Sequence, residues 1–239
     1  MKIIKTNDYE EMSIKTLDVF IETINNCKNQ NRINVAITGG RTPLMFYKML
    51  IENLNRIEIL EKVHFYNFDE IPLKDDLSTG LTFKDLDELF YTPGKINSNN
   101  IHQMNFLNWK DFIKQLNADG GLDLVLLGIG IDGHFCGNLS GVTKFGDSTR
   151  EISMIDTQNN ISVPKLDTEK FHEKYVTMGP REIMQSKNIL MIANGEAKAN
   201  VIDQILNGPV VEQVPSSLLT LHPNFTLIID KEANSKANI

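Results

Sequence analysis

Residues 122–138, Leu-Asp-Leu-Val-Leu-Leu-Gly-Ile-Gly-Ile-Asp-Gly-His-Phe-Cys-Gly-Asn, constrain the fold more than any other stretch of this chain. From Leu122 to Leu127 the run is apolar except for Asp123, the pattern of a strand covered on both faces. Such strands belong to parallel sheets flanked by helices, because crossover connections put helices over both sides. Gly128, Gly130 and Gly133 follow at once, with Asp132 and His134 beside the last of them. A buried strand that opens into a glycine turn carrying an acid and an imidazole sets proton-transfer groups at the edge of a sheet.

The rest of the chain alternates in the same sense. A helical stripe (Leu17, Phe20, Ile21, Ile24) lies within residues 8–26. A strand is predicted over 33–37, a turn over 38–43, and a helix over 44–54 with Pro43 at its first turn. A strand over 63–68 ends at Asp69-Glu70, and helices are predicted over 81–90 and 109–116. Residues 144–173 are polar and weakly periodic, which marks them as a possible lid. A strand over 188–193 leads to Gly195-Glu-Ala-Lys198, which opens a helix to Leu206, and a last strand covers 225–229. The expected architecture is a single α/β domain over 1–239, with a Rossmann-like, mostly parallel sheet and helices on both faces.

Composition narrows the functions open to such a domain. A formal net charge of −7 argues against nucleic acid or an anionic membrane surface as partner. No segment reaches the roughly 18 apolar residues of a membrane span, and residues 1–8 lack the apolar core of a signal peptide. A cytoplasmic setting is the expectation. Cys27 and Cys136 are too few and too far apart for a disulfide framework or a structural zinc site, and Cys136 reads as a small buried filler. His64, His102, His172 and His222 show no metal-ligand spacing, so no metal site is expected.

In open α/β sheets, ligands lie outside the carboxyl ends of the strands. Four such ends carry unusual residues here, and the fold should bring them to one edge. The first is the turn Gly39-Gly40-Arg41-Thr42-Pro43 before a helix, where backbone N–H groups suit an anion. The second is Asp69-Glu70, of which at most one should face the site, because adjacent strand residues point to opposite sides. The third is Gly128 to His134. Its Gly-x-Gly-x-x-Gly pattern matches a dinucleotide fingerprint, but the residues that follow have loop composition where that fingerprint requires a helix. The fourth is Lys198, placed on a first helical turn where it can meet a phosphate.

Together these four motifs, with Ser216-Ser-Leu-Leu-Thr-Leu-His-Pro223, resemble the glucosamine-6-phosphate deaminase/isomerase family and the related 6-phosphogluconolactonases, in order and spacing from about Ile33 to Asp230. The resemblance implies an (amino)sugar 6-phosphate ligand and no cofactor, and it leaves assembly into a homo-oligomer open. It implies that Asp69 shuttles a proton between C2 and C1, that Asp132 and His134 serve ring opening, and that Lys198 holds phosphate with the first glycine turn. Glu70, Gly130, Gly133 and Asn138 join Gly39, Gly40, Arg41 and Thr42 in the expected binding set. The chain also departs from the pattern: Asn138-Leu139-Ser140 stands where deaminases carry Asn-Glu-Pro. No arginine lies between Val163 and Tyr175 to grip the phosphate from a lid, which leaves Arg41 or Arg181 to substitute. Lactone hydrolysis with His134 as base is the alternative activity, and a non-catalytic sugar-phosphate sensor is a third reading.

Overall fold

The computed structural model describes residues 1–155, 167 and 169–237. In chain order the strands are β1 (Lys2–Lys5), β2 (Ile33–Ala36), β3 (Val63–Tyr66), β4 (Asp69–Glu70), β5 (Ile101–His102), β6 (Leu124–Leu127), β7 (Arg150–Ser153), β8 (Lys174–Thr177), β9 (Ile189–Ala193) and β10 (Phe225–Ile229). The α-helices are α1 (Tyr9–Asn25), α2 (Leu44–Glu52), α3 (Leu81–Leu86), α4 (Trp109–Ala118), α5 (Pro180–Met184) and α6 (Ala199–Asn207).

Seven strands form a parallel sheet in the order β1-β10-β9-β6-β2-β3-β5. Every residue of β2, β6 and β9 is buried, which is what the apolar runs in the sequence imply. One face packs under α1 and α2, with Phe20, Phe46 and Leu50 set against Val35, Phe65 and Leu126. The opposite face packs under α4, α5 and α6 through Leu116, Ile183, Val201 and Ile205. Asp8 caps α1 by accepting the Glu11 N–H at 2.8 Å.

The chain runs outward from β2 to β3 and β5, then returns across the sheet to β6 on the other side of β2. Loops leaving the carboxyl ends of β2 and β6 therefore diverge and open a crevice between them. Both loops are glycine-rich: 38–43 after β2, and 128–134 after β6.

Three features differ from the sequence reading. The edge strands β1 and β5 are too short to show a period of two, and β1 has a lysine at each end. Asp69-Glu70 does not end β3; it forms β4 in a second sheet of order β4-β8-β7, with both pairings antiparallel. Residues 144–173, read as polar and weakly periodic with no strand assigned, contain β7; positions 156–166 and 168 of that segment lie outside the described residues.

A polar cluster with no part in the crevice sits at the β5 edge. His64 Nδ1 lies 2.8 Å from His102 Nε2, Arg32 Nη2 lies 3.1 Å from that same nitrogen, and Arg32 pairs with Asp119 at 3.1 Å. Burial and then the Arg32 charge lower the pKa of both histidines, that of His102 to about 4, with His64 adding to the effect on His102 and Asp119 opposing it on both. The folded state thus favours neutral imidazoles, whereas the unfolded chain protonates near its usual pKa of about 6.5. The resulting stability is present above about pH 6.5 and is lost as the pH falls toward about 4. The thermal midpoint should drop across that window. His102→Phe keeps a ring against Tyr66 and should flatten the drop; an unchanged acid slope in that variant would assign the loss elsewhere.

Candidate active site

The crevice between β2 and β6 is a cavity of about 530 Å³. Its lining includes Gly39, Gly40, Arg41, Thr42, Asp69, Gly130, His134 and Lys198, so all four strand-end motifs meet there. Thr38, Pro43, Phe68, Leu81, Thr82, Asp85, Gly128, Ile129, Ile131 and Cys136 complete it.

The first turn is braced from outside. Tyr47 donates its hydroxyl to the Thr38 carbonyl at 2.5 Å, and Tyr9 donates to the Thr42 carbonyl at 3.0 Å. The turn leads directly into α2, an arrangement that suits an anion. Arg41 is exposed on it, beside the cavity.

On the β6 side, His134 Nδ1 lies 2.6 Å from Asp132 Oδ1, which also receives the His134 backbone N–H at 3.3 Å. A carboxylate only accepts, so the shared proton sits on Nδ1, and in the neutral ring Nε2 is the basic nitrogen. Asp132 does not line the cavity; it stands behind the imidazole and orients it. A Cβ on Gly130 would fall 2.1 Å from His134 Nδ1 and 2.5 Å from Asp132 Oδ1, so the pair fits only over a bare backbone. Lys198 crosses from the fourth motif and donates to the Ile129 carbonyl. Burial lowers its pKa, with the charge of Asp132 opposing the shift. Its turn is anchored by Asp230, whose two oxygens accept the Gly195 N–H at 3.1 and 3.0 Å.

Asp69 and Glu70 part as strand alternation requires. Asp69 lines the cavity. Burial pushes its carboxyl up to about 6, while the Thr82 hydroxyl and the His134 charge pull it down. Glu70 is fully buried and lies outside the cavity lining, which corrects its place in the binding set. It accepts the backbone N–H groups of Thr82 (2.8 Å), Phe83 (3.0 Å) and Ile71 (3.1 Å). Burial pushes its carboxyl up to about 8, opposed by the Phe83 and Thr82 amides and reinforced by Asp69.

Other expected residues also stand outside the cavity. Arg181 donates to the Gly146 carbonyl at 3.0 Å and does not line it, which leaves Arg41 as the arginine beside the first turn. Asn138 is buried and donates to the Met178 carbonyl at 2.8 Å, a scaffold role. Gly133 also lies off the lining, and its carbonyl accepts the Ser216 N–H at 2.9 Å. Cys136, expected as filler, lies on the cavity wall, where burial and then the Asp69 charge push its thiol well up. Leu139 is 2% exposed, so its side chain is part of the interior.

The second sheet ties Asp69 to the loop that carries His134. Thr177 on β8 is the register partner of Asp69. Its Oγ1 accepts the Gly137 N–H at 2.9 Å, and the Tyr175 hydroxyl on the same strand donates to the Gly137 carbonyl at 2.8 Å. One strand thereby holds β4 and the loop after His134. Sequence reasoning missed Thr82 and Asp85, because a helical residue becomes a site residue only through the docking of its helix.

An open parallel sheet with an anion-suited turn, an acid–imidazole pair and a partly buried carboxylate at its switch point defines an α/β protein built for a small ligand. The chain belongs to the family of glucosamine-6-phosphate isomerases and 6-phosphogluconolactonases, whose sequence model matches residues 7–228. A glucosamine-6-phosphate deaminase from Thermoanaerobacter pseudethanolicus is 33% identical, over 98% of this chain and 94% of the relative. One from Clostridium acetobutylicum is 32% identical, over 98% of each. Among solved structures, a monomeric glucosamine-6-phosphate deaminase superposes with a TM-score of 0.81 at 27% identity, covering 99% of this chain and 100% of the other. The 6-phosphogluconolactonase of Trypanosoma cruzi shares the fold, with a TM-score of 0.76 at 19% identity over 100% of this chain and 97% of the other.

Proposed function

We propose that this protein is a glucosamine-6-phosphate deaminase/isomerase that works on an amino-sugar 6-phosphate through a single domain. The observation that carries the reading is the meeting of Asp69, His134, the 39–42 turn and Lys198 in one cavity. The full-length similarity to deaminases supports it.

In this reading the phosphate rests on the backbone N–H groups of the 39–42 turn, with Arg41 and Lys198 supplying positive charge. His134, oriented by Asp132, takes the proton from the anomeric hydroxyl and delivers it to the ring oxygen, so that the bond between C1 and the ring oxygen breaks and the C1 aldehyde forms. Asp69 takes the proton from C2 while the C1 carbonyl oxygen gains one, giving an enol that bears the C2 amine; return of the proton from Asp69 to C1 leaves an iminium at C2. Water then adds at C2 and ammonia leaves, giving the ketose phosphate. A partly dry cavity keeps the proton on Asp69 between the two carbons.

Incubation with glucosamine 6-phosphate should release ammonia, while acid release from 6-phosphogluconolactone should stay at the spontaneous rate. The opposite pattern would make the protein a lactonase. Binding of either sugar phosphate with no product would make it a sensor.

Lys198→Ala should weaken binding of a sugar 6-phosphate about 10- to 100-fold, the scale expected when a hydrogen bond to a charged group is lost. Calorimetry with the phosphorylated and unphosphorylated sugars checks this. Equal loss for both would remove the lysine from phosphate binding.

A further inference from the structure

The proposed base is held by an unusual neighbour. The Thr82 hydroxyl donates to Asp69 Oδ1 at 3.0 Å, and both residues line the cavity. Thr82 lies in the first turn of α3, and that turn is clamped from below by Glu70, which accepts the amides of Thr82 and Phe83. Gly80 lets the clamp close: a Cβ there would fall 2.3 Å from Glu70 Oε1 and 2.5 Å from the Ile71 carbonyl. The two acids of one dipeptide thus divide the work. Glu70 fixes the helix, and the helix presents a hydroxyl to Asp69.

We propose that Thr82 is a positioning residue that aims the Asp69 carboxylate and keeps it ionised. A hydroxyl donated to a carboxylate stabilises the charged form and restricts rotation about the Cβ–Cγ bond. Burial pushes Asp69 the other way, toward the protonated and idle acid, so the hydroxyl sets how far down in pH the base stays usable. Other groups also face Asp69 or the same cavity: His134 and Cys136 on the loop after β6, Glu70 beside it on β4, Asp85 one turn along α3, and Arg41 and Lys198 on their respective turns. None of these is removed by changing Thr82, so its effect can be separated from theirs.

The inference rests on Asp69 being the base, and the experiment separates the two claims. Titrate the ¹³C-labelled Asp69 carboxyl in the free protein, and measure kcat/KM against pH on glucosamine 6-phosphate. Thr82→Val, which keeps the side-chain shape, should raise both the carboxyl pKa and the acid limb by about one pH unit, the scale of one hydrogen bond to a charged group. Thr82→Ser should restore both, and the thermal midpoints of the two variants should match. An unmoved carboxyl titration in folded Thr82→Val would overturn the inference whatever the enzyme does. A moved titration with an unmoved acid limb would overturn Asp69 as the base, and with it the catalytic part of the inference.

Discussion

Asp69→Asn should lower the rate of deamination about 10³- to 10⁴-fold, the upper range for loss of a positioned general base. The amide is nearly isosteric and can still accept the Thr82 hydroxyl, so the fold should hold while the basic oxygen pair is lost. Lactone hydrolysis, if any is measured, should survive, because it draws on His134 and the glycine turn. The same residue fixes the pH profile. A base with a pKa of about 6 is ionised and active above that value and protonated and idle below it, so kcat/KM should fall about tenfold per pH unit below about 6. The asparagine variant should lose that limb along with the rate. Ammonia release across pH 4–8 by the two proteins checks both points, and substantial isomerisation by the variant would remove Asp69 as the base.

Gly130→Ala carries the second large effect, and for a purely steric reason. The added methyl would lie 2.1 Å from His134 Nδ1 and 2.5 Å from Asp132 Oδ1, well inside contact distance. Both groups are ends of side chains, so the protein can relieve the clash by swinging the imidazole off its carboxylate. The expected result is a folded enzyme that has lost its oriented histidine. Turnover should fall about 10²- to 10³-fold, in line with the loss of a general acid–base group. Stability should drop by about 1–3 kcal/mol, the usual scale of local overpacking. Thermal melting with parallel turnover measurements checks the pair, and near-normal turnover in Gly130→Ala would show that the His134–Asp132 geometry is not required.

The elements most legible in the chain were those whose signal is local. The run 122–127 is a buried strand because its apolar side chains must be covered on both faces, and β6 is found there. The glycine turns after β2 and β6 were readable as loops at the ligand-facing edge of the sheet, and both border the cavity. Asp132 and His134 lie two residues apart on a tight turn, so their hydrogen bond is nearly dictated by the backbone. Strand alternation allows at most one of Asp69 and Glu70 to face the site; Asp69 lines the cavity and Glu70, expected in the binding set, does not.

Strand β4 was not legible. Two residues have no period, and Asp69-Glu70 becomes a strand only because Thr177 and Val176 offer it hydrogen bonds from a distant part of the chain. Thr82 carries no motif. Its bond to Asp69 spans 13 residues and exists because Glu70 pins the helix start. Arg181 and Asn138 had the right chemistry for the site, yet they are spent on the Gly146 and Met178 carbonyls.

What the sequence determined by itself is the parallel sheet, its two helical layers and the four loops at one edge, because hydrophobic period and glycine content act over a few residues. What only the tertiary structure decided is which polar groups in those loops face the cavity and which serve as scaffold. That choice is made by hydrogen bonds between segments far apart in the chain, and their partners become defined only when the second sheet and α3 dock.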